Sequence, residues 1–181
     1  MPRIQPVNRT TTSAETQALL NGVEKKLGMV PNLIATLAQS TALAKAYMSF
    51  SQALAGGLIS AQLREQIALA VGQANQCGYC LAAHSAIGRS VGLSEDQLRD
   101  ARTGTSPDRK SDTALRFARQ IVEKQGFVAD EDVEDIRHAG YGDSEIAEII
   151  GHVAINMFTN YFNHVAQTEV DFPAVPDLVS P

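Results

Sequence analysis

Both cysteines of the chain fall in one short stretch, QCGYCLAAHS at residues 76–85. Two residues separate Cys77 from Cys80, and His84 follows one helical turn later. Those residue types at that spacing admit two chemistries. A close cysteine pair can cycle between dithiol and disulfide, with the imidazole moving protons. Cys77, Cys80 and His84 can also be read as three ligands of a zinc ion. A structural zinc takes four ligands, and no second CxxC or HxxxH lies nearby to complete the set, so the redox reading is favoured.

A helix opening at Cys77 would bring the three side chains within about 60° of one another, because each residue advances the angle by about 100°. Cys77 would sit in the first turn, where free N–H groups and the macrodipole favour a thiolate. Glu65 lies twelve residues before Cys77. On a continuous rod it would be about 18 Å away. If the chain reverses at Asn75-Gln76, the two helices run antiparallel and Glu65 falls near the level of His84. The small Ala68 and Gly72 would let them approach. A carboxylate beside an imidazole fixes its tautomer and raises its basicity, and the ring reaches back one turn to Cys80.

The elements that must position these groups are helical. Apolar periodicity is helical along nearly the whole chain, and no alternating strand pattern occurs. The fold class expected is all-α, in a single domain over 1–181. Ser13, Ser40 and Ser60 read as helix N-caps, and Gly28 and Gly56-Gly57 as stops. SEDQ at 94–97 is a capping-box pattern. Residues 102–110 read as a surface loop, with the next helix starting at Ser111 or Asp112 and ending at Gly126. The acidic stretch Asp130–Asp135 reads as a solvated helix start. A long helix is predicted from Ser144 to about Gln167, followed by a proline-containing tail at about 171–181 that cannot be helical throughout.

Composition narrows the partners. The net charge is −5, and there is no basic stripe, so nucleic acid is not expected. No apolar run is long enough for a membrane span, and the N-terminus lacks a signal-peptide core. A cytoplasmic location is expected, where a CxxC pair is redox-active or metal-binding rather than a staple.

Glu65, the CGYCLAAHS stretch, the LGMVPNLIATLAQS segment and NYFNHVAQTEVDFP together resemble the AhpD-like alkylhydroperoxidase branch of the carboxymuconolactone decarboxylase superfamily, in its peroxidase-related subset. The likeness runs from about Val23 to Pro173. It implies an all-helical fold with an antiparallel helix hairpin carrying the CxxC motif, in trimers or hexamers. It also implies a peroxidase working through thiols alone, without metal or cofactor. Cys80 would attack the hydroperoxide and become a sulfenic acid, Cys77 would close the disulfide, and Glu65 and His84 would move protons. An external dithiol, a lipoyl-bearing protein in the best-known case, would reduce the pair. Tyr79 stands where the best-known family peroxidase has histidine, and reads as a packing residue. A lactone decarboxylase and a non-catalytic redox-sensing or metal-binding module are the alternatives. His152, Asn156, Asn160 and His164, spaced four apart on the last long helix, could line a channel or form a polar seam between subunits, the seam being preferred.

Overall fold

Serine hydroxyls start four of the helices. Ser13, Ser40, Ser60 and Ser94 accept hydrogen bonds from the backbone N–H groups of Thr16, Leu43, Leu63 and Gln97, each three residues on. The computed structural model describes residues 1–178 and, among these, contains helices and no strand. In order they are α1 (Ala14–Leu27), α2 (Asn32–Leu37), α3 (Thr41–Ala55), α4 (Ala61–Ala74), α5 (Gly78–Ser90), α6 (Glu95–Thr103), α7 (Arg109–Glu123), α8 (Asp130–His138) and α9 (Asp143–Ala166). The expected all-α class holds. The tail after α9 is non-helical through residue 178, and its last three positions, 179–181, lie outside the described residues.

The start of α7 differs from the sequence reading. α7 begins at Arg109, not at Ser111 or Asp112, because the Asp108 carboxylate caps it by accepting from the Ser111 N–H at 2.8 Å. The loop before it is correspondingly short. Arg102, at its edge, is buried: its guanidinium donates to the Gln73 side chain at 2.9 Å and to the Pro176 carbonyl at 2.8 Å, which ties the C-terminal tail to α4.

α4 is apolar around most of its circumference, and such a helix is stable only when covered on all sides. Ile67, Leu69, Ala70 and Val71 have no exposed surface, and α5, α6, α7 and α9 surround the helix. A first core cluster joins α4 to α6, α7, α8 and α9 through Leu115, Phe117, Ile136, Ile149 and Val153. A second cluster lies on the other side of α5. It contains Leu20 and Val23 of α1, Leu33 and Leu37 of α2, Ala44 of α3, and Cys77, Tyr79 and Cys80. The cysteine pair therefore sits under a roof made by α1, α2 and α3, with Phe172 of the tail packed against it.

α4 and α5 form the expected antiparallel hairpin. α4 ends in a Schellman arrangement: the Gln76 N–H bonds to the Gln73 carbonyl at 3.0 Å and the Cys77 N–H to the Gly72 carbonyl at 2.8 Å. Gln76 takes the left-handed conformation that this motif requires, with φ of 56°. At Gly72 of α4 an added Cβ would meet Cys80 Cβ and Leu81 of α5 at 3.6 Å, ordinary van der Waals contact. Gly88 of α5 is tighter, but against α6: a Cβ there would come within 2.6 Å of Leu98 Cδ2, with the Glu65 Cβ of α4 at 3.9 Å.

Candidate functional site

Cys77 belongs to both helices of the hairpin. Its N–H closes the end of α4, and its side chain is the N-cap of α5, accepting from the Cys80 N–H at 3.4 Å. It stands at the helix start rather than within the first turn, still where the unpaired N–H groups point. The two cysteines are disulfide-bonded, with Cα atoms 5.3 Å apart. They are 1% and 2% exposed, so the sulfurs lie inside the second core cluster rather than on an open surface.

Polar partners reach the sulfurs from α9. Asn160 Nδ2 donates to Cys80 Sγ at 3.0 Å, and Asn163 Nδ2 reaches the same sulfur at 3.4 Å. Asn163 is 4.0 Å from Cys77 Sγ. The Asn75 side chain, at the hairpin turn, donates to Asn160 Oδ1 at 2.9 Å, which turns the Asn160 N–H groups toward Cys80. Cys80 thus has two amide donors at close range. Hydrogen bonds to the charged form of an acid favour that form, so this environment suits a thiolate at Cys80 once the disulfide is reduced.

Glu65 of α4 and His84 of α5 are paired, Oε2 to Nδ1 at 2.7 Å, both partly buried. The pair lies one helical turn along the hairpin from the sulfurs. Among the described residues, His84 makes no hydrogen bond to either sulfur. It instead faces two cavities. One, of about 280 Å³, is lined mainly by apolar side chains of the roof, including Val23, Leu33, Ile34, Met48 and Phe172, and by Tyr79. The other, of about 150 Å³, is polar: Arg64, Glu65, His84, His152, Asn156 and Thr159 line it. Tyr47 borders both cavities. Burial, reinforced by the charge of Glu65, pushes its phenol up to about 12.

Tyr79 does more than fill space. Its hydroxyl accepts from the Leu33 N–H at 3.1 Å, pinning the start of α2 over the cysteine pair. Its ring meets Phe172 edge-on with centroids 5.8 Å apart. Asp171, next to Phe172, accepts from the Asn32 N–H at 2.7 Å. Burial drives the Tyr79 phenol far above its ordinary range. The phenol therefore stays protonated near neutral pH.

The structure therefore brings Cys77, Cys80, His84 and Glu65 to one hairpin, as the spacing suggested. It does not gather them into a metal-ligating group: among the described residues no three His, Cys, Asp or Glu side chains converge as one. The preferred subunit seam on α9 is overturned. His152, Asn156 and Asn160 are buried within the chain itself, whereas His164 is exposed on another face. Steps of four residues drift by about 40° each, so over three steps the row leaves its starting face. Asn163, three residues after Asn160, stays on that face and falls outside the four-residue spacing. The available signal was a set of amides on one side of an otherwise apolar helix, since buried polar groups need partners.

Residues 41–124 match the carboxymuconolactone decarboxylase family. No curated protein matches the chain. Among solved structures, the chain is similar to an alkylhydroperoxidase AhpD core, a peroxidase-related protein from Ralstonia eutropha JMP134. The TM-score is 0.86 at 23% identity, over 94% of this chain and 92% of that one. A peroxidase-related protein from Silicibacter sp. TM1040 gives a TM-score of 0.80 at 23% identity, over 92% of each chain. The debrominase Bmp8 in complex with 2,3,4-tribromopyrrole gives 0.80 at 22% identity, over 93% of this chain and 91% of that one. The fold is AhpD-like, and the family segment spans α3 through α7 with the cysteine pair inside it.

Proposed function

We propose that this chain, which carries a carboxymuconolactone decarboxylase family segment on an AhpD-like fold, is a thiol-dependent peroxidase acting on organic hydroperoxides. The observation that carries the reading is the environment of Cys80: two amide donors at its sulfur, a second cysteine bonded to it, and a carboxylate–imidazole pair one turn away.

Cys80 thiolate attacks one oxygen of the hydroperoxide. The O–O bond breaks, the alkoxide takes a proton and leaves as the alcohol, and Cys80 becomes a sulfenic acid. The Cys77 thiol then attacks the Cys80 sulfur, expels water and closes the disulfide. Two electrons pass from the sulfur pair to the peroxide in each cycle. Glu65 and His84 supply and recover protons. Because neither bonds the sulfur directly, transfer runs through solvent. The apolar cavity under the roof accepts the organic group. An external dithiol, such as that of a lipoyl-bearing protein, returns the pair to the reduced state by exchange.

The test is one equivalent of cumene hydroperoxide on the reduced protein, followed by mass mapping. Loss of two hydrogens confined to the 77–80 pair is expected. Oxidation of wild type no faster than of Cys80→Ser sinks the assignment. The family segment also supports a decarboxylase-type reading, which requires no sulfur pair. Lactone turnover surviving in the Cys77→Ser/Cys80→Ser double variant would favour it. The likeness to Bmp8 favours assaying aryl bromides alongside, since a dithiol can reduce a carbon–bromine bond to carbon–hydrogen, releasing bromide as the disulfide forms.

A further inference from the structure

The polar cavity beside Glu65 and His84 contains a group the reaction scheme has not used. His152 of α9 is 6% exposed, lines this cavity, and its Nε2 has no hydrogen-bond partner. Buried polar atoms in native proteins are almost always paired, with protein or with ordered water. The cavity of about 150 Å³ has room for several waters. We propose that His152 is a third proton-handling group of this site, holding in the chamber the water through which Glu65 and His84 exchange protons with the reacting oxygens.

The surroundings support that role. Arg64 and Glu65 of α4, His84 of α5, Tyr47 of α3 and Glu148 of α9 itself are the charged and titratable groups facing His152. Burial, followed by the charge of Arg64, lowers its proton affinity against the opposing pull of Glu148 and Glu65. A neutral imidazole offers one donor and one acceptor, which is what a relay through water needs. Tyr47 remains a protonated donor at the edge of the chamber.

Position along the helices completes the case. Asn156 and Thr159 line the chamber, and Asn160, one turn further on α9, bonds the Cys80 sulfur. His84 and Cys80 repeat that step on α5. The chamber is therefore the layer next to the sulfurs. The inference rests on the peroxidase reading. In each cycle two thiol protons leave, one ending on the alcohol and one on the water released at disulfide closure. His152 takes up and returns a proton with no net change.

Two measurements test this. The first needs no peroxide: a high-resolution crystal structure is expected to show a water bonded to His152 Nε2 and bridging to Glu65 or His84. An Nε2 with no water in reach overturns the proposal. The second is single-turnover oxidation by cumene hydroperoxide across pH, for wild type, His152→Gln and His152→Phe. Each variant is expected to be slowed by about 10- to 100-fold near neutral pH and to lose an acid-side inflection. The Cys80 thiolate titration, followed by absorbance, is expected to stay in place. Rates and profiles superimposable on wild type overturn the proposal. Should His152→Phe fail to fold, His152→Gln alone carries the comparison, since an amide fills similar space but does not titrate. A wild type inert toward peroxide in the presence of the bridging water is a different result, and defeats the peroxidase reading instead.

Discussion

Asn160 donates its side-chain N–H to the Cys80 sulfur at 3.0 Å, reaching it from the last helix of the chain. Asn75, at the turn that leads into the CxxC helix, holds that amide in place. The cysteine hairpin and α9 are thus joined at the sulfur itself, and the sulfur's electrostatics depend on a residue outside the motif.

Removing that donor should weaken the thiolate. In Asn160→Leu the Cys80 thiol is expected to titrate at higher pH, and oxidation by hydroperoxide near neutral pH to slow by about tenfold. A hydrogen bond to a charged group contributes about 1.5–3 kcal/mol, and 1.4 kcal/mol is tenfold. Thiolate absorbance against pH and single-turnover rates measure both.

The two cysteines should fail differently. Cys80→Ser is expected to leave Cys77 unreactive toward peroxide. Cys77→Ser is expected to stop at a Cys80 sulfenic acid, trapped by dimedone and located by mass spectrometry. Sulfenic acid appearing instead on Cys77 in the Cys80→Ser variant would reverse the assignment.

Glu65→Gln keeps a hydrogen-bond acceptor for the His84 ring but removes the charge. Oxidation is expected to fall by about 100-fold, the lower range of positioned acid–base catalysis. Unchanged turnover with an intact fold would take the pair out of the mechanism.

The hairpin turn carries a conformation that glycine adopts more readily. Gln76 is left-handed at φ 56°, a region that disfavours side chains other than glycine's and, to a lesser degree, asparagine's. Gln76→Gly is expected to stabilise the protein by about 0.5–1 kcal/mol, after the added flexibility of the unfolded chain is subtracted. Urea unfolding gives the value, and the rate of oxidation should not change.

His152 also makes stability depend on pH. Its folded-state pKa lies below the ordinary 6.5, chiefly through burial. Well above 6.5 both states are neutral and this group costs nothing. As pH falls below that value, the unfolded chain takes up a proton before the folded one does, and stability declines until the folded value is passed. Urea midpoints from neutral pH down to about 5 should fall less steeply for His152→Gln than for wild type.

Much of this architecture is readable from local chemistry. Serine caps mark helix starts, and CxxC followed by His84, with Glu65 before a turn, suggests the carboxylate–ring pair that the family resemblance singles out. What escapes a linear reading is contact between distant segments. Nothing near Asn160 or Asn163 points to sulfur, and nothing around Tyr79 names the Leu33 N–H as the partner of its hydroxyl. The start of α7 is ambiguous in the sequence for a local reason. Asp108, Ser111 and Asp112 all belong to cap-forming residue types, and only the backbone shows that the first of them binds the N–H.

The sulfur pair lies inside the 41–124 segment, while α1, α2 and Phe172, which cover it, lie outside. Part of the cover over the pair thus falls beyond the family segment, and so do Asn160 and Asn163, which bond the Cys80 sulfur. If the proposed chemistry holds, variation in α1, α2 or the tail would reshape the apolar cavity while leaving the cysteine hairpin as it is, so proteins alike in that hairpin need not share a diet.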